Sequence, residues 1–194
     1  LVMGGEGPEV MTEAIEGFRA NGNAEELSTA LSLASSFAWY SSDRAATDRY
    51  LAEALEAVVG RPASPARAET LSHHSGMLML GGDFEESIRI GTDALRLATA
   101  LGMQGQVARL RILIGTSRCC LGDEGGLAEI REGIEIAEAE ANVHTVALGH
   151  DNLCSELQVF ARTAEARRIW RASVGLAERY GLGRQLRTAR ATGA

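Results

Sequence analysis

The chain has 194 residues, 45% of them apolar, and its 19 basic residues against 26 acids give a formal net charge of −7. That apolar content is enough to build a core, but no stretch reaches the roughly 20 apolar residues a membrane-spanning helix needs, and Leu1-Val2-Met3-Gly4-Gly5-Glu6 lacks the charged and apolar regions of a signal peptide. Every basic residue is arginine, so a phosphate loop of the form G-x-x-x-x-G-K-S/T is excluded.

Helical spacing predicts helices near 8–21, 23–41, 44–59, 64–81, 84–101, 104–121, 124–141, 143–161 and 163–181, with a tenth from about 183. In the first, Thr12-Glu13-Ala14-Ile15 stands seven residues before Gly22. The motif returns in the fifth as Thr92-Asp93-Ala94-Leu95 before Gly102, and as Glu53-Ala54-Leu55 in the third. Glu132-Gly133-Ile134 and Ala172-Ser173-Val174 continue the series, so small residues recur at 14, 54, 94, 133 and 173 with a period of forty, once thirty-nine. A period of this length is the signature of a repeat array.

Helix boundaries recur in step, at Ser42-Asp43, Gly82-Asp83, Gly122-Asp123 and Arg162-Thr163. Glycine can close one helix in a left-handed conformation, and the aspartate or threonine can cap the next. Asp83 with Glu86 fits a capping box. In Gly60-Arg61-Pro62-Ala63-Ser64-Pro65, Ser64 reads as a cap and Pro65 as first-turn residue. The predicted fold class is therefore all-α, with antiparallel helix hairpins at about 23–60, 64–101, 104–141 and 143–181 in a single domain over 1–194.

The run Gly82-Asp83-Phe84-Glu85-Glu86-Ser87-Ile88, continuing to Ala94-Leu95, resembles the second helix of a tetratricopeptide repeat. Ile114-Gly115 and Leu153-Cys154 occupy the leucine-glycine pair of that family's first helix. The period is longer than the family's 34 residues, Ser75 and Cys154 replace the glycine in flanking repeats, and the usual aromatic is mostly missing. These departures are similar to the degenerate repeats, about 40 residues long, of large bacterial ATP-binding regulators and multidomain nucleotide cyclases. The resemblance implies a right-handed superhelical solenoid whose first helices line a concave wall.

Little catalytic chemistry is legible. His73-His74 are adjacent, about 100° apart on a helix, and His144 and His150 offer no better metal spacing; no metal and no cofactor are expected. Cys119, Cys120 and Cys154 lack zinc-site pairing and read as reduced packing thiols. Cys154 lies one turn after His150, so a helical enzyme using that pair is a third reading. Trp170 sits at a core phase.

Carrying the family's groove positions over gives Ser36, Trp39, Tyr40, Ser72, Met79, Arg109, Ile112, Thr116, Asp151 and Ser155 as candidate binding residues, with Trp39, Tyr40 and Arg109 as anchors. The expected role is non-catalytic: a protein–protein interaction or regulatory sensor module of a larger bacterial signalling or transcription-regulating protein. The alternative is a small-molecule-sensing solenoid coupled to an attached ATPase or DNA-binding domain. The all-arginine usage suggests a GC-rich bacterial genome, the thiols a cytoplasmic location, and the chain ends a fragment of a longer protein. Residues 162–194 hold eight arginines against two glutamates, a net of +6, which leaves eleven arginines against twenty-four acids and a net of −13 in 1–161. That basic end is expected to dock another domain or stay solvated, without direct nucleic-acid or membrane binding, and uncapped terminal repeats allow self-association.

Overall fold

The computed structural model describes residues 7–183 together with 186 and 187. Among these the chain is all-helical, with α1 Gly7–Ala20, α2 Ala24–Tyr40, α3 Arg44–Val58, α4 Pro65–Gly81, α5 Phe84–Ala100, α6 Gln104–Cys120, α7 Gly126–Ala139, α8 Val143–Val159 and α9 Thr163–Tyr180. The helix expected from 183 lies largely outside the described residues. Two compact units result, Leu1–His74 and Ser75–Ala194, and the division falls inside α4.

Residues with left-handed backbone recur through the turns: Gly22, Ser42, Gly60, Gly82, Gly102, Gly122, Ala141, Ala161 and Gly181 all have positive φ. At the ends of α5, α6 and α8, amides donate back across the turn, as in Met103 N–H to the Ala98 carbonyl, Asp123 to Arg118 and Arg162 to Leu157. These bonds satisfy carbonyls that a helix end leaves without partners. The recurrence of this turn every twenty residues or so is what reverses the chain after each helix. Alanine at 161, with φ 57°, and serine at 42, with φ 62°, accept a conformation that glycine adopts more readily.

Caps follow the expectations in part. Asp43 accepts from the Ala46 amide at 2.9 Å, and Ser64 Oγ accepts from the Arg67 amide at 3.3 Å. Asp83 makes no capping bond with its side chain, so the capping box is not formed; Glu86 instead accepts a two-pronged bond from Arg89 on the next turn. Asp123 accepts from the Gly125 amide at 2.9 Å, and that tight turn delays α7 to Gly126.

In the first unit, α2 packs on α1 and α3. Its core gathers Ile15, Ala30, Leu31, Ala34 and Ala54, bordered by Met11, Phe18, Leu27 and Tyr50. Ser35 Oγ and His73 Nε2 lie 2.6 Å apart and join α2 to α4.

In the second unit, each helix from α5 to α9 packs on the next, and α6 also meets α8. Leu110, Ile112, Leu113 and Ile114 point to different sides of α6 and are all buried, because α5, α7 and α8 each cover part of it. The packing of α6 on α7 is governed by absent side chains. A β-carbon at Gly115 would stand 2.7 Å from the Gly126 carbonyl oxygen, and one at Gly133 would stand 2.7 Å from the Ala108 carbonyl oxygen. Of the recurrent small positions, 54, 94, 133 and 173 are buried, and 14 is half-buried.

Candidate functional site

The ten candidate residues fall in both units. In the first, Tyr40 at the end of α2 is 66% exposed, and Ser36 one turn earlier is half-buried. Trp39 is half-buried, and the guanidinium of Arg44, the first residue of α3, lies 3.1 Å from its ring centroid. A cation stacked on the indole face ties the α2–α3 corner together, so Trp39 already has a structural role. Ser72 is 1% exposed and its hydroxyl has no hydrogen-bond partner among the described residues, which places it in the interior and off any binding wall.

Sequence reasoning passed over Leu33 and Phe37. They are 51% and 42% exposed, and with Tyr40 they stand at i, i+4 and i+7, the spacing of one helix face. The opposite face carries the buried Ser28, Leu31, Ala34 and Ser35. The signal was present in the sequence as a second apolar stripe on a helix that needs only one, and it was hidden because both stripes read as core.

In the second unit, Ile112 is fully buried, and its side chain packs against the backbone of α7 at Gly133 and of α8 at Gly149. It is core, a correction to its assignment as a contact residue; α6 is covered by α5, α7 and α8, so the groove phase carried over from the family turns inward there. Thr116 is 6% exposed and its hydroxyl donates to the Ile112 carbonyl at 2.7 Å, which occupies it inside its own helix. Arg109 is half-buried beside Gly76, and Met79 is half-buried. Asp151 accepts from Ser173 Oγ at 3.0 Å, joining α8 to α9, while Ser155 is exposed. Trp170 packs against the core of this unit.

Cys154 is buried; its thiol donates to the Ala166 carbonyl at 3.5 Å and receives a bond from Gln158 at 3.5 Å. His150 is buried with Nδ1 unpartnered among the described residues, and burial lowers its pKa. Burial pushes the Cys119 thiol up to about 12, with the charge of Glu156 adding to the effect. Cys120 is raised by burial and by Glu156, whose carboxylate accepts its thiol at 3.9 Å. A thiol held protonated is a poor nucleophile. Glu156 itself is 6% exposed, its Oε2 has no partner among the described residues, and burial raises its pKa. Among the described residues no group of three His, Cys, Asp or Glu side chains is placed to hold a metal ion, and no helix is long and apolar enough to cross a membrane.

The surface best suited to a partner is therefore the outer face of α2. Three large apolar side chains stand in a row on it, beside the hydroxyl of Ser36, with Glu25, Glu26 and Thr29 exposed at its start. Neither the models of known protein families nor the curated proteins give a match to this chain.

Proposed function

We propose that this chain is a non-catalytic protein-interaction module built from tetratricopeptide-like repeats, and that α2 presents the contact surface. One observation carries the reading: Leu33, Phe37 and Tyr40 form an exposed apolar stripe on a helix whose other face already supplies the core. A row of large apolar groups in water is the feature that distinguishes an interaction surface from an ordinary solvated one, and aromatic side chains dominate interface energetics. An amphipathic helix or extended peptide with apolar residues three to four apart fits such a row.

The repeat reading has its own support within the second unit. Ser75 Oγ donates to the Ser87 carbonyl at 2.9 Å, and Cys154 Sγ to the Ala166 carbonyl at 3.5 Å. Both bonds span twelve residues, from a first helix to the second helix of the same pair, at the position where Gly115 meets α7. Equivalent chemistry at equivalent register is what a stacked array of helix hairpins, a solenoid, requires. On this reading the chain serves a larger bacterial signalling or transcription-regulating protein as its docking segment.

The test is selection of binding peptides from a displayed random library on the 194-residue chain. Selected peptides should carry spaced apolar residues and lose at least tenfold in affinity, about 1.4 kcal/mol, against Leu33→Ser/Phe37→Ser/Tyr40→Ser, while helical circular dichroism is kept. Enriched peptides that bind this variant as well as the parent would move the contact surface elsewhere.

A further inference from the structure

Two helix faces in this protein carry uncompensated charge of opposite sign. On α9, Arg167, Arg168 and Arg171 are exposed and form no hydrogen bond or ion pair among the described residues. Their neighbours differ: Arg162 is engaged by Glu124 at 2.9 Å and by Glu165 at 2.6 Å, and Arg131 also binds Glu165. The acids within reach are thus already matched, and Glu165 is only weakly felt by Arg168. On α1, Glu9, Glu13 and Glu16 are exposed at i, i+4 and i+7, and among the described residues only Glu16 of the three has a cation near it, Arg19, which is itself bonded to Glu53 at 2.6 Å.

We propose that copies of this chain associate head to tail, the arginine face of α9 in one copy docking on the carboxylate face of α1 in the next. The spacings agree: Arg167 to Arg171 and Glu9 to Glu13 are each four residues, a rise of about 6 Å along a helix. The exposed residues one turn or less from the arginines, Thr163, Ala164, Ala172 and Gly175, are all small, so an approaching helix meets guanidinium groups without large exposed side chains holding it off. A guanidinium presents a planar fork that a carboxylate fills with two hydrogen bonds. The occupant is a second copy and not an extended polyanion, because residues 1–161, with a net charge of −13, repel a long phosphate backbone and attract the basic face of a neighbouring molecule. Two different faces meet, so the contact is heterologous and continues beyond a dimer unless the rotation closes a ring.

Sedimentation equilibrium of the 194-residue chain tests this directly. At ~0.01 M salt, where charges interact over about 30 Å, the weight-average mass should rise at least twofold with protein concentration; at ~1 M salt, where the range is about 3 Å, it should fall back to the monomer. Arg167→Glu/Arg168→Glu/Arg171→Glu and Glu9→Arg/Glu13→Arg/Glu16→Arg should each stay monomeric alone. Mixed together they should associate again, since each then supplies the face the other has lost. Should a reversal lose its helical circular dichroism, the corresponding glutamine triples carry the same test: each alone should stay monomeric, and mixed they should stop at a dimer, since one keeps the α1 carboxylates and the other the α9 arginines. A monomeric parent at low salt, association that survives either reversal, or a mixture of folded reversals that stays monomeric overturns the proposal. So does a monomeric parent whose α9 face captures a single-stranded oligonucleotide instead.

Discussion

In the second unit α6 and α7 meet backbone to backbone through Gly115, Gly126 and Gly133, whereas in the first the core around α2 is closed by side chains: Leu31, Ala34, Ala54 and the bordering Met11, Phe18 and Tyr50. A glycine seam leaves no volume to rearrange, because the neighbouring atom is main chain. A core closed by methionine and aromatic side chains can adjust rotamers. The first unit also leaves an apolar face of α2 in water, and the second buries α6 on nearly every side. The contrast is between a seam set by main-chain atoms and a core closed by side chains.

The largest break in that contrast should come from Gly115→Val. Its side chain would enter the space of the Gly126 carbonyl and of the Ile130 backbone, and the expected loss is about 3 kcal/mol, the upper part of the overpacking range. Ala54→Leu in the first unit fills a fully buried site bounded by side chains and should cost about 1–2 kcal/mol. Urea titration compares the two, and equal losses would erase the distinction.

A smaller effect concerns buried polarity. The buried polar residues of the first unit, Ser28, Ser35, Thr47, Thr70 and Ser72, are all hydroxyls, but the second buries the carboxyl of Glu156. Burial raises its pKa in the folded protein. The folded state therefore favours the protonated form, so the contribution of this group is fully present below the ordinary glutamate value of about 4.3 and is lost as pH rises through the raised one. Glu156→Gln, which keeps the shape and cannot ionise, should stabilise the protein at pH 7 by ~1–2 kcal/mol, the scale of an unmet desolvation penalty. Its advantage should vanish at pH 4, as thermal unfolding at the two pH values would show; a constant difference would mean that Glu156 stays ionised and solvated.

The smallest effect runs the other way. Gly17 in α1 has nothing within 4 Å of a built β-carbon, so Gly17→Ala should stabilise by about 0.5–1 kcal/mol. A loss on thermal unfolding would show that the first unit has a close contact at that position after all.

The candidate surface was legible only in part. Tyr40 was found through its phase in the repeat, and it is exposed. Leu33 and Phe37, which complete its row, were not found, because α2 carries two apolar stripes and only the placing of the neighbouring helices tells which of them faces water. Ile112 and Ser72 fail for the converse reason: the phase that marks an inner wall in a regular repeat marks the interior here. The Asp83 cap is not made although Asp43, in the same place before α3, makes its own, so residue type alone did not decide it.

What the sequence determined by itself is the set of helices and their turns, since helical period, small residues forty apart and left-handed residues at the turns are local properties of the chain. Only the tertiary structure decided which faces of those helices are covered. It made Gly115 and Gly133 a contact between backbones, turned Ile112 inward, gave Trp39 to Arg44, and left the stripe on α2 in water. The physical reason is that burial is a property of neighbours: a side chain's period fixes its direction on the helix, and the element standing opposite determines whether that direction is core or solvent.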